Sequence, residues 1–268
     1  MKIILNGKEN DIETGLTAFQ LRDEKFNSMC IVILNGFQIS EDCTLKENDT
    51  IAVIEKGKMP SQDELESLMA SRHTPFVHER FKKGRVAIAG LGGLGSNIAV
   101  MLARIGVGYL KLIDFDIVEP SNLNRQSYYI KHLGMFKTNA LKQQIADINP
   151  FIKVETVTEK VTEENISRIF ENCDIICEAF DNPVAKSMLV NKVMEIFPRK
   201  ILVCGSGMAG LESSNIITTK RVFKNLYICG DGENEARQGR GLMAPRVSIC
   251  AGHQANMIAR LLTEQTDI

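Results

Sequence analysis

No stretch of this 268-residue chain approaches the roughly 20 consecutive apolar residues that a membrane helix requires. The start, Met1-Lys2-Ile3-Ile4-Leu5-Asn6-Gly7, turns at once and does not form a secretory signal. A cytoplasmic location is therefore expected. Net charge is −1, which leaves no global basic field for nucleic acid. No Cys-x-x-Cys pair occurs anywhere. The seven cysteines, at 30, 43, 173, 177, 204, 229 and 250, are odd in number and scattered, which argues against a disulfide framework. Cys173 and Cys177 flank the run Asp174-Ile175-Ile176 as strand residues, an arrangement that does not suit a tetrahedral site. His73, His78, His132 and His253 show no metal-ligand spacing.

What is present supports one large core and a small domain, since 44% of the residues are hydrophobic. Residues 1–57 read differently from the rest. Lys2 to Leu5, Asn6-Gly7 and Lys8 to Glu13 form a hairpin signal, because Asn-Gly suits a type I′ turn. Leu16 to Lys25 reads as a short helix and Cys30 to Leu34 as a strand closing on a second Asn-Gly pair, Asn35-Gly36. Thr50 to Ile54 is a last strand, so the order is β-β-α-β-β, that of a β-grasp. Residues 58–84 read as a linker and one helix, opened by the capping box Ser61-Gln-Asp-Glu64. Residues 85–268 alternate apolar runs with helical segments, which predicts an α/β fold: a Rossmann-like, mostly parallel sheet with helices on both faces. Asn215 to Thr219 reads as β-like, and Tyr227 to Gly241 as a long polar segment carrying Cys229, Arg237 and Arg240. A final helix is expected from Arg246 to Thr263.

The apolar run Val86 to Ala89 is followed by Gly90-Leu-Gly92-Gly93-Leu-Gly95 and then by a helical segment. A strand, a glycine turn and a helix place backbone N–H groups and a positive helix end around a phosphate. A second strand ends in Asp114, roughly 20 residues on, where a Rossmann acid reaches ribose hydroxyls. To this point an NAD-dependent oxidoreductase fits as well as an ATP enzyme. The next loop, Ser121-Asn122-Leu123-Asn124-Arg125-Gln126, holds one arginine and several amides. Arg125 offers a permanently charged planar fork for phosphate oxygens, and Lys137 adds a compact charge. Asp181, before Asn182-Pro183, follows the apolar run Ile175 to Ala179. A carboxylate at the end of a parallel strand lies on the ligand side of such a sheet and suits Mg²⁺. Asp181 could equally cap the following helix, and Asp114 and Asp116 could be turn residues.

Residues 72–265 resemble the adenylyltransferases of the ThiF and MoeB type, kin to ubiquitin-activating enzymes. The resemblance rests on Gly90 to Ser96, Asp114-Phe-Asp116, Ser121 to Gln126, Lys137, Asn149-Pro150 and Asp181-Asn182. It implies ATP and Mg²⁺ as cofactors, with a ribose role for Asp114, phosphate contacts for Asn122, Arg125 and Lys137, and Mg²⁺ on Asp181. Gly90, Gly92, Gly93, Gly95, Asp116 and Gln126 complete the expected nucleotide site. Many family members hold a structural zinc with two Cys-x-x-Cys pairs. This chain lacks them, so no zinc is expected. Relatives also imply a homodimer in which an arginine near Arg72 reaches the partner's ATP, and some use a reactive cysteine, for which Cys204 and Cys229 are the candidates.

The front domain is similar to the sulfur carrier ThiS. A carrier ends in a free Gly-Gly carboxylate, whereas here Glu55-Lys-Gly57-Lys-Met-Pro60 runs on into the next segment. The domain is therefore expected to be an appendage or a docking element, with the true carrier supplied in trans and a separate sulfur donor. The implied reaction is adenylylation of the carrier's C-terminal glycine, for thiamine thiazole synthesis or for another carrier pathway.

Overall fold

The computed structural model describes every residue except Lys56, Lys58 and Thr74; of residues 70–73 and 75 it describes the backbone alone. Contacts divide the chain into two compact units, Met1–Glu79 and Arg80–Ile268.

The first unit contains β1 (Lys2–Leu5), β2 (Lys8–Asp11), α1 (Ala18–Lys25), β3 (Ile31–Leu34), β4 (Phe37–Gln38), β5 (Thr50–Ile54) and α2 (Gln62–His73). Its sheet runs β2-β1-β5-β3-β4, with β1 and β5 parallel at the centre. Both Asn-Gly pairs sit in the left-handed region, Asn6 and Gly7 at φ 48° and 81°, Asn35 and Gly36 at 49° and 85°, as a type I′ turn demands. Thr17 caps α1 in a capping box with Gln20. Ile3, Leu5, Leu21, Val32, Leu45 and Ile51 form a separate small core. The two-residue β4 is absent from the sequence reading because so short a strand shows no alternation. The Ser61–Glu64 box forms, with the Ser61 N–H donating to Glu64 Oε2 at 2.8 Å. The linker nevertheless holds two helices, not one. Pro75 opens α3 (Pro75–Lys83), proline being at home in a first helical turn. Arg72 falls within α2 rather than beyond it, and its side chain lies outside the described residues.

The second unit contains β6 (Arg85–Ala89), α4 (Gly93–Arg104), β7 (Tyr109–Ile113), α5 (Lys137–Ile148), β8 (Lys153–Val157), α6 (Ile166–Phe170), β9 (Ile175–Glu178), α7 (Pro183–Ile196), β10 (Ile201–Gly205), β11 (Thr218–Phe223), β12 (Leu226–Gly230) and α8 (Ala244–Leu262). The sheet order is β11-β12-β10-β9-β6-β7-β8, parallel except for β11. Pleating splits β6 between two cores. Val86 and Ile88 meet Ile98, Leu102, Leu141, Val247 and Ile258 from α4, α5 and α8. Ala87 and Ala89 meet Ile166, Phe170, Leu189 and Val193 from α6 and α7. Each large apolar side chain fully buried in this way contributes about 1.5–3 kcal/mol. Two strand readings are corrected. The β-like segment starts at Thr218, after a 3₁₀ turn over Ser214–Ile216. Leu226–Gly230 is an interior parallel strand rather than part of a polar loop; its five residues are hidden by the acids and glycines that follow. Among the described residues no helix is long and apolar enough to cross a membrane.

The chain order reverses between β6 and β9. Strands β7 and β8 lie to one side of β6, and β9, β10 and β12 to the other. Such a switch point opens a crevice at the carboxyl ends of its two strands. The glycine turn follows β6, and Asp181 follows β9. A Cβ on Gly95 would clash with the Gly90 carbonyl oxygen, far inside van der Waals contact distance, whereas one on Gly92 would meet only Gln126 Nε2, at 3.8 Å. Gly95→Ala should therefore destabilise the protein by about 3 kcal/mol in urea unfolding, at the upper end of overpacking costs. Gly92→Ala should cost under about 1 kcal/mol in the same measurement.

Candidate active site

The glycine turn divides its labour. Gly90 and Gly95 are buried, and Gly92 and Gly93 remain partly accessible. Gly90 has φ 89°, and a Cβ there would press on the Ala179 carbonyl at 2.8 Å, so the turn rests directly on the end of β9. No side chain caps α4 at Gly92. The backbone N–H groups of its first turn are thus left for an anion, in a space that a Cβ would narrow.

Asp114, at the end of β7, is buried and accepts two backbone N–H bonds, from Leu91 at 2.6 Å and from Asp116 at 2.8 Å. Burial, the largest influence, raises its carboxyl above the ordinary aspartate range; the two N–H donors and the charge of Lys137 oppose that shift. A carboxylate has about four acceptor sites, so the lone pairs left over remain available to ribose hydroxyls. Asp116 is exposed and pairs with Lys137 Nζ at 2.9 Å, and the Lys137 N–H donates to the Asp116 carbonyl. Lys137 is the first residue of α5 and its side chain is buried.

The Ser121–Gln126 loop is sewn onto the glycine turn. Ser96 Oγ donates to the Gly92 carbonyl at 2.6 Å and accepts the Ser127 N–H at 3.0 Å. Asn97 Nδ2 donates to the carbonyls of Gly93 and Arg125, and Ser127 Oγ reaches Asn97 Oδ1. Tyr128 donates its hydroxyl to the Leu91 carbonyl at 2.8 Å. The Arg125 stem lies 3.7 Å from where a Cβ of Gly93 would stand. Its Nη1 donates to the Ser121 carbonyl and to Asn124 Oδ1. Asn122 is buried and accepts the Glu119 N–H at 3.0 Å, a structural use of an amide read only as a phosphate contact. Two polar atoms here, Arg125 Nε and Gln126 Oε1, are buried without a hydrogen-bond partner. Buried polar atoms are ordinarily paired; here Nε can still donate a hydrogen bond and Oε1 can still accept one.

Asn182, not Asp181, caps α7, accepting the Ala185 N–H at 3.0 Å. Asp181 is exposed and free of capping duty. Its turn meets the glycine turn through Phe180, whose ring lies 3.0 Å from a Cβ placed on Gly90. Among the described residues no three His, Cys, Asp or Glu side chains are grouped to hold a metal. A single carboxylate fits Mg²⁺, which takes one or two protein carboxylates and completes its shell with phosphates and water.

Ser96, Asn97, Ser127 and Tyr128 escaped the sequence reading as functional residues, although Ser96 stood within the quoted motif. Their role is to join two loops, and only the spacing of small polar residues beside each motif hints at it. Cys204 and Cys229 lie on neighbouring strands, buried rather than in a loop before α8. Burial pushes the Cys229 thiol up to about 11 and raises Cys204 as well. At pH 7.5 the Cys229 thiol is therefore overwhelmingly protonated, and a thiol alkylates slowly. Half-exposed Cys43 should therefore react first with iodoacetamide at pH 7.5. Cys204 and Cys229 should react only on unfolding or as the pH climbs toward 11, as peptide mapping can check.

Residues 67–268 match the ThiF family, and residues 1–57 match the ThiS-like ubiquitin family. The chain belongs to the ThiF family. It is 35% identical over 201 residues to an adenylyltransferase and sulfurtransferase UBA4 of Lodderomyces elongisporus, covering 70% of this chain and 42% of that protein. It is 39% identical over 112 residues to a molybdopterin-synthase adenylyltransferase of Haemophilus influenzae, covering 41% of this chain and 46% of that protein. The chain thus spans less than half the length of these curated relatives. In fold it is similar to the E. coli tRNA N6-threonylcarbamoyladenosine dehydratase TcdA solved in complex with ATP, with a TM-score of 0.70 at 20% identity, over 78% of this chain and 98% of that one.

Proposed function

We propose that this member of the ThiF family uses ATP to adenylylate the C-terminal glycine carboxylate of a ubiquitin-like sulfur carrier brought by another chain. The observation that carries the reading is the stitching of the arginine loop to the glycine turn, which puts the Arg125 stem against Gly93. The solved neighbour in complex with ATP supports the nucleotide, and the relatives named adenylyltransferases support the reaction.

The α4 N-terminus and the accessible Gly92 and Gly93 receive the triphosphate. Asp114 takes the ribose hydroxyls on its remaining lone pairs. The carrier carboxylate, ionised at neutral pH, attacks the α-phosphorus in line. The bond from that phosphorus to the bridging oxygen breaks, and pyrophosphate leaves with the electron pair. No general base is required, so the protein's work is positioning and charge stabilisation. Arg125 supplies the fork, and its buried Nε gains a partner. Lys137 can divide its three donors between Asp116 and a phosphate oxygen. Asp181 would hold Mg²⁺, which when bound offsets charge on the phosphates. A separate donor of sulfide-level sulfur then attacks the acyl carbon, AMP leaves, and the carrier ends as a thiocarboxylate; no cysteine of this chain takes part in that step.

The ThiS-like front domain favours a carrier of the thiamine thiazole route. The molybdopterin-synthase relative favours a molybdopterin-type carrier as the second reading. Homodimerisation, with Arg72 reaching the partner's nucleotide, and a cytoplasmic location complete the proposal.

Arg125→Ala should reduce carrier-dependent ATP–pyrophosphate exchange by at least about a thousandfold, the scale of losing a transition-state charge, with its melting temperature kept. Exchange at the wild-type rate would remove the assignment. Removing residues 1–57 should leave ATP affinity unchanged in a calorimetric titration, because every proposed nucleotide contact lies beyond them.

A further inference from the structure

Beneath the Asp181 turn lies an ion pair that the proposed reaction has not used. Glu178 ends β9 with its side chain fully buried. Its Oε1 accepts the Phe180 N–H at 2.7 Å, and its Oε2 accepts Lys186 Nζ at 2.5 Å. Lys186 also donates to the Gly205 carbonyl at 2.7 Å, at the end of β10. The Glu178 carbonyl receives Gln254 Nε2 from α8 at 3.1 Å. Lys186 stands one helical turn after the cap Asn182, with its own N–H on the Asn182 carbonyl. One carboxylate and one ammonium thus fix the residue before Asp181, the first turn of α7 and the end of β10.

A buried pair of this kind is a poor way to obtain stability. Two charges lose their hydration, and well-packed apolar residues of similar volume often do as well or better. What the pair supplies here is directional. It grips the Phe180 backbone from inside the sheet while Asn182 takes up capping, and between those two fixed points Asp181 has little freedom left.

We propose that Glu178 and Lys186 are positioning residues that hold the β9–α7 turn so that Asp181 meets a divalent cation on the nucleotide phosphates. The inference rests on the metal-binding role given to Asp181 above. Outer partners of metal ligands typically change metal affinity by about 10–100-fold when removed.

The test uses the full chain without carrier, with Mn²⁺ as the probe, followed by electron paramagnetic resonance in saturating ATP. Lys186→Met should weaken Mn²⁺ binding about tenfold or more and leave metal-free ATP affinity within about twofold. Lys186→Arg, which keeps charge and donors, should restore most of the loss. The double variant Glu178→Leu with Lys186→Leu removes both buried charges together, leaving neither uncompensated, and, with its folding verified by a cooperative melting transition, should still bind Mn²⁺ weakly. Wild-type Mn²⁺ affinity in that folded double variant would overturn the proposal, as would Mn²⁺ binding unaffected by Asp181→Asn. Failure of the adenylylation reading is separately visible. It would appear as wild-type protein giving no pyrophosphate exchange with any Gly-Gly-ended carrier while the Mn²⁺ dependence on Glu178 and Lys186 persists.

Discussion

The carboxyl edge of the large sheet depends on the two backbone hydrogen bonds that Asp114 accepts. One comes from Leu91 within the glycine turn and the other from Asp116 on the following loop. Asp116 in turn fixes Lys137, and the same edge is closed by Tyr128 on the Leu91 carbonyl. A single buried carboxylate therefore links the glycine turn, the loop after β7 and the first charge of α5. Burial works against its ionised form, and the two backbone donors and the charge of Lys137 oppose that shift. That cost is typical of sites where structure serves chemistry.

The opposite wall of the crevice is built on a different principle. There the β9–α7 turn has a dedicated cap in Asn182 and an internal grip in Glu178, which together leave Asp181 exposed at the rim. One wall thus presents backbone N–H groups and cations, and the other presents a carboxylate. On the proposed reading a nucleotide carrying a divalent cation would satisfy both. A dinucleotide used for hydride transfer has no comparable need for Arg125 and its unpaired buried Nε. The front domain matches the ThiS-like family, yet the stretch that would be its tail runs on toward α2, so in the proposed reaction the attacking carboxylate belongs to another chain.

Much of this was legible in the sequence because the residues concerned obey strong local rules. The glycine turn, both Asn-Gly hairpins and the Ser61–Glu64 box follow from backbone chemistry that admits few alternatives. Asp114, Arg125, Lys137 and Asp181 were singled out as candidates by their order along the chain after successive strands. What stayed hidden was tertiary. Leu226–Gly230 forms an interior strand only because β10 is beside it. The pairing of Glu178 with Lys186 needs the sheet and α7 together. Ser96 and Ser127 meet across 31 residues of chain. The roles of Asp181 and Asn182 could not be separated until the cap was seen to fall on the second of them.

The central claim is that a carrier carboxylate attacks the α-phosphorus of ATP in this crevice. The most direct measurement starts from a Gly-Gly-ended carrier whose terminal carboxylate is labelled with oxygen-18. It is incubated with enzyme and ATP, the acyl group is trapped with hydroxylamine, and the AMP and pyrophosphate are read by mass spectrometry. Attack by the carrier carboxylate at the α-phosphorus leaves one labelled oxygen in AMP and none in pyrophosphate. Label in pyrophosphate or inorganic phosphate, or carrier-dependent AMP free of label, would contradict it.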